Sequence, residues 1–311
     1  MKYIILAALL FGAALNPALA QTNKKTEIQP LKIERAENLQ PFSLKTLEAG
    51  RIDPGFTGVS ASAIVDAIDA IKNIKKGEFE STEEFESRKS EAYTKKIIGN
   101  IGLGDLFPIV VQVGKYDSQG HSLGYSYDAD ATEVIWHLNP QKKPYKDVFV
   151  VTDAASNIVS KNSYLIERVV LQVDRYQANN AFGAVVEVEK TSMAEYHFVV
   201  DTVDNLKNYY NATVPFGMKM DAKTATKELP ALKILLIVKL KSPYLLYMSE
   251  NRIEPTFKSP RGFIVSQKPL FGDIVKIIFY SGVTGKIFAQ FPDAAENTAA
   301  PSAPQDSMPK N

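Results

Sequence analysis

Cysteine is absent from the 311 residues. No disulfide can staple the fold, no thiolate can bind metal or act as a nucleophile, and no N-terminal cysteine can carry a lipid. Histidine occurs only at His121, His137 and His197. None of the three lies three or four residues from another, so no single helix turn can present two of them to one metal ion. An excess of charge is missing as well, with 36 basic against 35 acidic side chains. A balanced chain lacks the general attraction to nucleic acid or an anionic membrane surface that a basic protein has. The expectation is therefore no nucleic-acid partner, no cofactor and no metal.

What is present begins with "MKYIILAALLFGAALNPALA". One lysine, an apolar run from Tyr3 to Leu15 and small residues at Ala18 and Ala20 form the pattern of a secretory signal peptide, with cleavage before Gln21. The run is shorter than the ~20 residues of a membrane-spanning helix, so no transmembrane segment is expected after its removal. Export without disulfides points to a bacterial periplasm or exterior.

The rest divides by composition into a polar, proline-punctuated arm or linker over 21–58, helices plus an antiparallel sheet over 59–205, a second α+β part over 206–291 that continues the same domain or forms another, and an Ala/Pro/Ser-rich disordered tail over 292–311. In "SASAIVDAIDAIKNIKKG", Ile64, Ile68, Ile71 and Ile74 share one helical face, and the helix should end near Gly77. The segment from Lys75 to Lys96 holds six glutamates and six basic residues. Ser81 followed by Glu84 predicts a capping box. Glu84 with Arg88, and Glu91 with Lys95, are spaced as i,i+4 ion pairs. Adjacent carboxylates such as Glu83 and Glu84 point away from each other on a helix, so they suit a solvated helix better than a glycosidase pair.

From Pro108 the period changes to two. "PIVVQVGKY", "LGYSYDA", "TEVIWHL", "DVFVVTD", "YLIERVVLQVDRY", "AFGAVVEVEK" and "EYHFVVDTV" read as strands with one wet face, Val169, Leu171 and Val173 sharing a side. A short helix near 221–229 leads to "LKILLIVKLK", whose unbroken apolar run marks a central strand. "GDIVKIIFY" and "GKIFAQF" around "SGVTG" make a closing hairpin. The class is α+β: two N-terminal amphipathic helices, then a large, mainly antiparallel β region. An outer-membrane barrel fits poorly with charged helices at the start.

The "KKGEFESTEEFESRKSE" segment and the downstream "YQANNAFGAVVEVEK" resemble paired motifs of uncharacterised exported bacterial proteins. That resemblance covers about a tenth of the chain and implies an exported, coherent fold with no assigned activity.

One motif could carry catalysis. "GHSLG" satisfies G-x-S-x-G with Ser122 as nucleophile, and Asp174 and His197 follow in the order of α/β-hydrolase triads. That chemistry requires a helix after the serine, whereas "YSYDADATEVIWHL" alternates like a strand, so a hairpin loop fits the glycines better. "GVTGKI" lacks the spacing of a phosphate loop, and "GNIGLGD" follows a helix where a dinucleotide site needs a strand. Tyr125, Tyr127, Trp136, Tyr244 and Tyr247 could line a groove for carbohydrate or peptide, or fill a β core. The expected function is an exported non-catalytic binding or envelope-associated accessory protein, with an envelope protein or glycan as partner. The alternative is a periplasmic serine hydrolase using Ser122, Asp174 and His197.

Overall fold

A computed structural model describes residues 39–112, 123–138, 141–146, 158–179, 183–200 and 216–291. The signal pattern, the tail, the "DVFVVTD" run and Ser122 with His121 fall outside these residues.

Ser60 caps the first helix, α1 (Ala61–Lys72), by accepting from the Ala63 amide, and Ile64, Val65, Ile68 and Ile71 are buried along one face. The helix stops at Lys72, short of Gly77, because Asn73 closes it through its amide to the Asp69 and Ile71 carbonyls. The second helix, α2 (Thr82–Thr94), starts with the expected capping box of Ser81 and Glu84. It buries no residue, so it is not amphipathic in effect and touches the body mainly near its end, where Tyr93 stacks on Tyr244 at 5.7 Å. A polar helix of this kind depends on its caps and charge pairs. Glu91 pairs with Lys95 as expected. Arg88 does not reach Glu84, whose carboxylate is taken by the Ser81 amide, and pairs with Glu80 instead.

A two-stranded hairpin follows, β1 (Lys96–Ile98) and β2 (Ile101–Gly102), and "GNIGLGD" is its turn and exit. The remaining strands are β3 (Leu106–Gln112), β4 (Leu123–Asp128), β5 (Glu133–Leu138), β6 (Gln141–Lys146), β7 (Ile158–Asn179), β8 (Val185–Val200), β9 (Phe216–Lys219), β10 (Leu232–Leu245), β11 (Ser249–Ile253), β12 (Arg261–Ser281) and β13 (Ile287–Phe291). A short helix, α3 (Ala222–Glu228), capped by Asp221, precedes β10.

The main sheet runs β3-β10-β12-β8-β7-β6, with β11 and β13 also paired to β12. All of its pairings are antiparallel except β12 with β8, where Arg261 to Gly272 run alongside Glu189 to Val200. The central place expected for β10 is correct: Ile234, Leu236 and Val238 face one core while Leu235 and Ile237 face another. The first core holds α1 and the separate sheet β4-β5-β9, whose Trp136 lies 4.5 Å from the Phe279 ring. The second lies against residues read from sequence as an arm: Leu47 and Ile52 are buried there, with Phe42 and Phe56 beside them. From Leu39 onward, then, the segment is part of the folded body rather than a linker. Strands from both sides of residue 206 interleave in one sheet, so no domain boundary falls there.

β12 is the longest-range element. Its first half lies between β11 and β8, and its second half between β10 and β13. Gly272 sits where the neighbours change, and a Cβ there would run into the Lys239 carbonyl oxygen. Beyond the reach of α1, the hairpin of β7 and β8, with β11 and the start of β12, continues as a long arm.

Candidate functional site

The arm has two faces that follow from strand alternation. Ala194, Tyr196 and Phe198 point to the first core, and the intervening Glu195, His197 and Val199 point the other way. On that second face a polar row crosses four strands. Arg168 of β7 donates to Glu195 Oε1 from Nε and Nη2 at 3.2 and 2.7 Å. Gln267 of β12 donates to Glu195 Oε2 at 3.3 Å, and Ser249 of β11 donates to the Gln267 side-chain oxygen at 3.1 Å. His197 Nε2 lies 3.3 Å from the same Glu195 Oε2. The hydrogen bond with His197 and those from Arg168 and Gln267 hold the Glu195 carboxyl down to about 2, against the opposing effect of burial. A carboxylate so held stays ionised and is a poor proton acceptor. The row consequently behaves as a strut that satisfies buried charge, rather than as an acid–base pair.

Beyond this row the same face turns apolar. Val170, Met193 and Val265 with Asn251 form one row, and Val173, Thr191, Phe263 and Ile253 the next. Then a charged row returns, where Arg175 meets Glu189 at 2.8 Å and Arg261 lies alongside. Val170 and Ile253 are exposed, Ile253 at 60%. The alternation expected for Val169, Leu171 and Val173 is broken here. A bulge at Leu171 leaves that residue unpaired and exposed and puts Val169 and Val173 on opposite faces.

The expected triad residues are not brought together. Asp174 pairs in register with Lys190, seven residues along β8 from His197 and on the opposite face. At ~3.3 Å per residue that separates them by about 23 Å. Asp174 accepts from Gln172, and His197 is wholly buried beside Glu195. Ser122 lies outside the described residues. His137 faces Ser126 Oγ at 2.9 Å across β4 and β5, and burial lowers its pKa. Among the described residues no three His, Asp or Glu side chains gather as a metal site. Nor is any helix there long and apolar enough to cross a membrane.

Of the five aromatics considered for a groove, Trp136 and Tyr125 are core residues, the Tyr127 hydroxyl donates to the Met220 carbonyl, Tyr244 stacks on Tyr93, and only Tyr247 is exposed. "GVTGKI" is the β12–β13 turn, with Gly285 at φ +73°.

A different aromatic stands out. Phe79, between the two helices, is 94% exposed. The turn that carries it is tightly fixed. The Glu80 amide donates to the Gly77 carbonyl, and the Gly77 amide donates back to the Glu80 carboxylate at 2.9 Å. Arg88 grips both Glu80 oxygens at 2.8 and 2.7 Å and also donates to the Lys75 carbonyl. Lys76 donates to the Thr82 hydroxyl. The Arg88 hydrogen bonds, then that from Gly77, bring the Glu80 carboxyl down to about 2. The charged residues were legible in the sequence as helix formers; that they also clamp a turn displaying a phenylalanine was not. Compared with known proteins, the chain matches no family model, no curated protein and no solved structure.

Proposed function

We propose that this chain is an exported, non-catalytic binding protein of the bacterial envelope, and that the Phe79 turn is its docking knob. The observation that carries the reading is the combination of a fixed backbone and a ring left in water. Covering a phenylalanine stabilises by roughly 1.5–3 kcal/mol, which the isolated chain forgoes at this position. A rigid turn loses little further entropy on association, so the ring acts as a pre-organised anchor. Glu78 and Glu83 flank it in sequence, and an apolar socket in an envelope protein or glycan assembly suits such a knob.

The test is recovery of partners from envelope extract with the wild-type chain and with Phe79→Ala. The reading expects a specific protein or glycan that the variant recovers at least tenfold less well, equivalent to ~1.4 kcal/mol. Equal recovery by both, or none by either, ends the assignment. An activity-based serine probe addresses the hydrolase alternative: labelling that disappears in Ser122→Ala would replace the binding reading.

A further inference from the structure

We infer that the apolar stripe on the arm is the face of a twofold dimer, packed sheet on sheet with a second copy of this chain. The inference does not depend on Phe79. Two largely apolar rows, one holding Val173, Phe263 and the exposed Ile253 around a buried Thr191 and the other Val170, Met193 and Val265 with Asn251, are bounded on both sides by charged rows. An apolar centre with a charged rim is the anatomy of a protein interface. No described helix covers this face, because α1 lies on the opposite side of the sheet.

The charge pattern selects the occupant and its orientation. Two sheets packed face to face can be related by an axis across the strands or by one along them. An axis across the strands lays the row of Arg175 and Glu189 over the row of Arg168 and Glu195, so that arginine meets arginine and glutamate meets glutamate. An axis along the strands, between β8 and β12, lays each β8 over the β12 of the second copy. Glu189 then faces Arg261 twice, Thr191 faces Phe263, Met193 faces Val265 and Glu195 faces Gln267, following the register of the two strands. Like charges are separated, Val173 of β7 meets Ile253 of β11, and of the apolar residues only Val170 meets one that is neither apolar nor methyl-bearing, the polar Asn251. The approximate alignment of strands agrees with the ~30° at which aligned sheets pack. Each facing residue occupies about 30 Å² of sheet at ordinary strand spacing. The four rows from Arg168 to Arg175, over which β12 is present, thus offer roughly 450 Å² per copy before side-chain relief is counted, towards the small end of specific interfaces.

Sedimentation equilibrium of the purified chain at micromolar concentration should give twice the chain mass. Glu189→Arg alone and Arg261→Glu alone should each weaken the dimer by about tenfold or more, since each places like charges opposite one another in its own homodimer. Mixing the two variants should restore it, because the mixed dimer pairs Arg with Glu at both places. That rescue depends on contacts between chains and cannot be mimicked by a loss of folding within one chain. A monomeric wild type overturns the inference, as do single variants that dimerise as strongly as wild type. A mixture that stays monomeric while each variant keeps the wild-type circular dichroism overturns it too.

Discussion

At the scale of single residues, Glu195 is the most heavily committed side chain described, with Arg168, Gln267 and His197 all on its two oxygens. Glu195→Gln keeps the shape and removes the charge, and should cost about 1.5–3 kcal/mol at neutral pH in urea denaturation. Because the folded carboxyl is held near 2 against an ordinary 4.5, its stabilisation is complete above 4.5 and is lost as the pH falls towards 2. The difference between wild type and variant should therefore shrink across that window; a constant difference would show that Glu195 is not the group titrating. Residue-level chemistry was legible where partners are close in sequence, as with Ser81 and Glu84, whose reciprocal bonds are both formed. It was illegible where the partner comes from another strand: nothing in "AEYHF" signals that Glu195 meets residues 27 and 72 positions away.

Between elements the contrast of α1 and α2 is instructive. Both were expected to be amphipathic, yet α1 buries four large aliphatic side chains and α2 none. Ile68→Ala should cost 2–5 kcal/mol, as large core deletions do. Phe85→Ala, which removes a ring that lies beneath Arg88 and Lys89 on the surface of α2, should cost under about 1 kcal/mol. Thermal or urea denaturation of the two variants distinguishes a core helix from a surface one, and similar losses would show that α2 packs more closely than described. Periodicity found α1 because its apolar spacing survives unaided, whereas α2 was read from its capping box and charge pairs, which specify a helix without specifying a buried face. β10 was legible as an unbroken apolar run. The first half of β12 was not, because Lys268 and Pro269 interrupt its alternation, and the proline is tolerated where β11 has already ended.

For the molecule as a whole, the α+β class and the dominance of the sheet follow from composition and period. The parallel pairing of β8 with β12 does not, since its partners are separated by about seventy residues and each strand alone reads like any other. The packed N-terminal segment was missed for a related reason: Phe42, Leu47, Ile52 and Phe56 are isolated apolar residues without a repeat, and only the sheet surface they meet makes them a layer. Leu47→Asp combined with Ile52→Asp would place charge against Leu235, Ile237 and Tyr280 without a counter-ion. A fall in the thermal midpoint with exposure of dye-binding apolar surface is the expected result; an unchanged midpoint would show that the layer is dispensable.

The continuity of β12 has a mechanical consequence. A tug on the hairpin of β7 and β8 passes across the paired backbone of β8 into β12 and along that one strand to its pairing with β10, loading many peptide pairs in shear at once. The projecting part is accordingly a lever rather than a tether: what seizes its end moves the core with it.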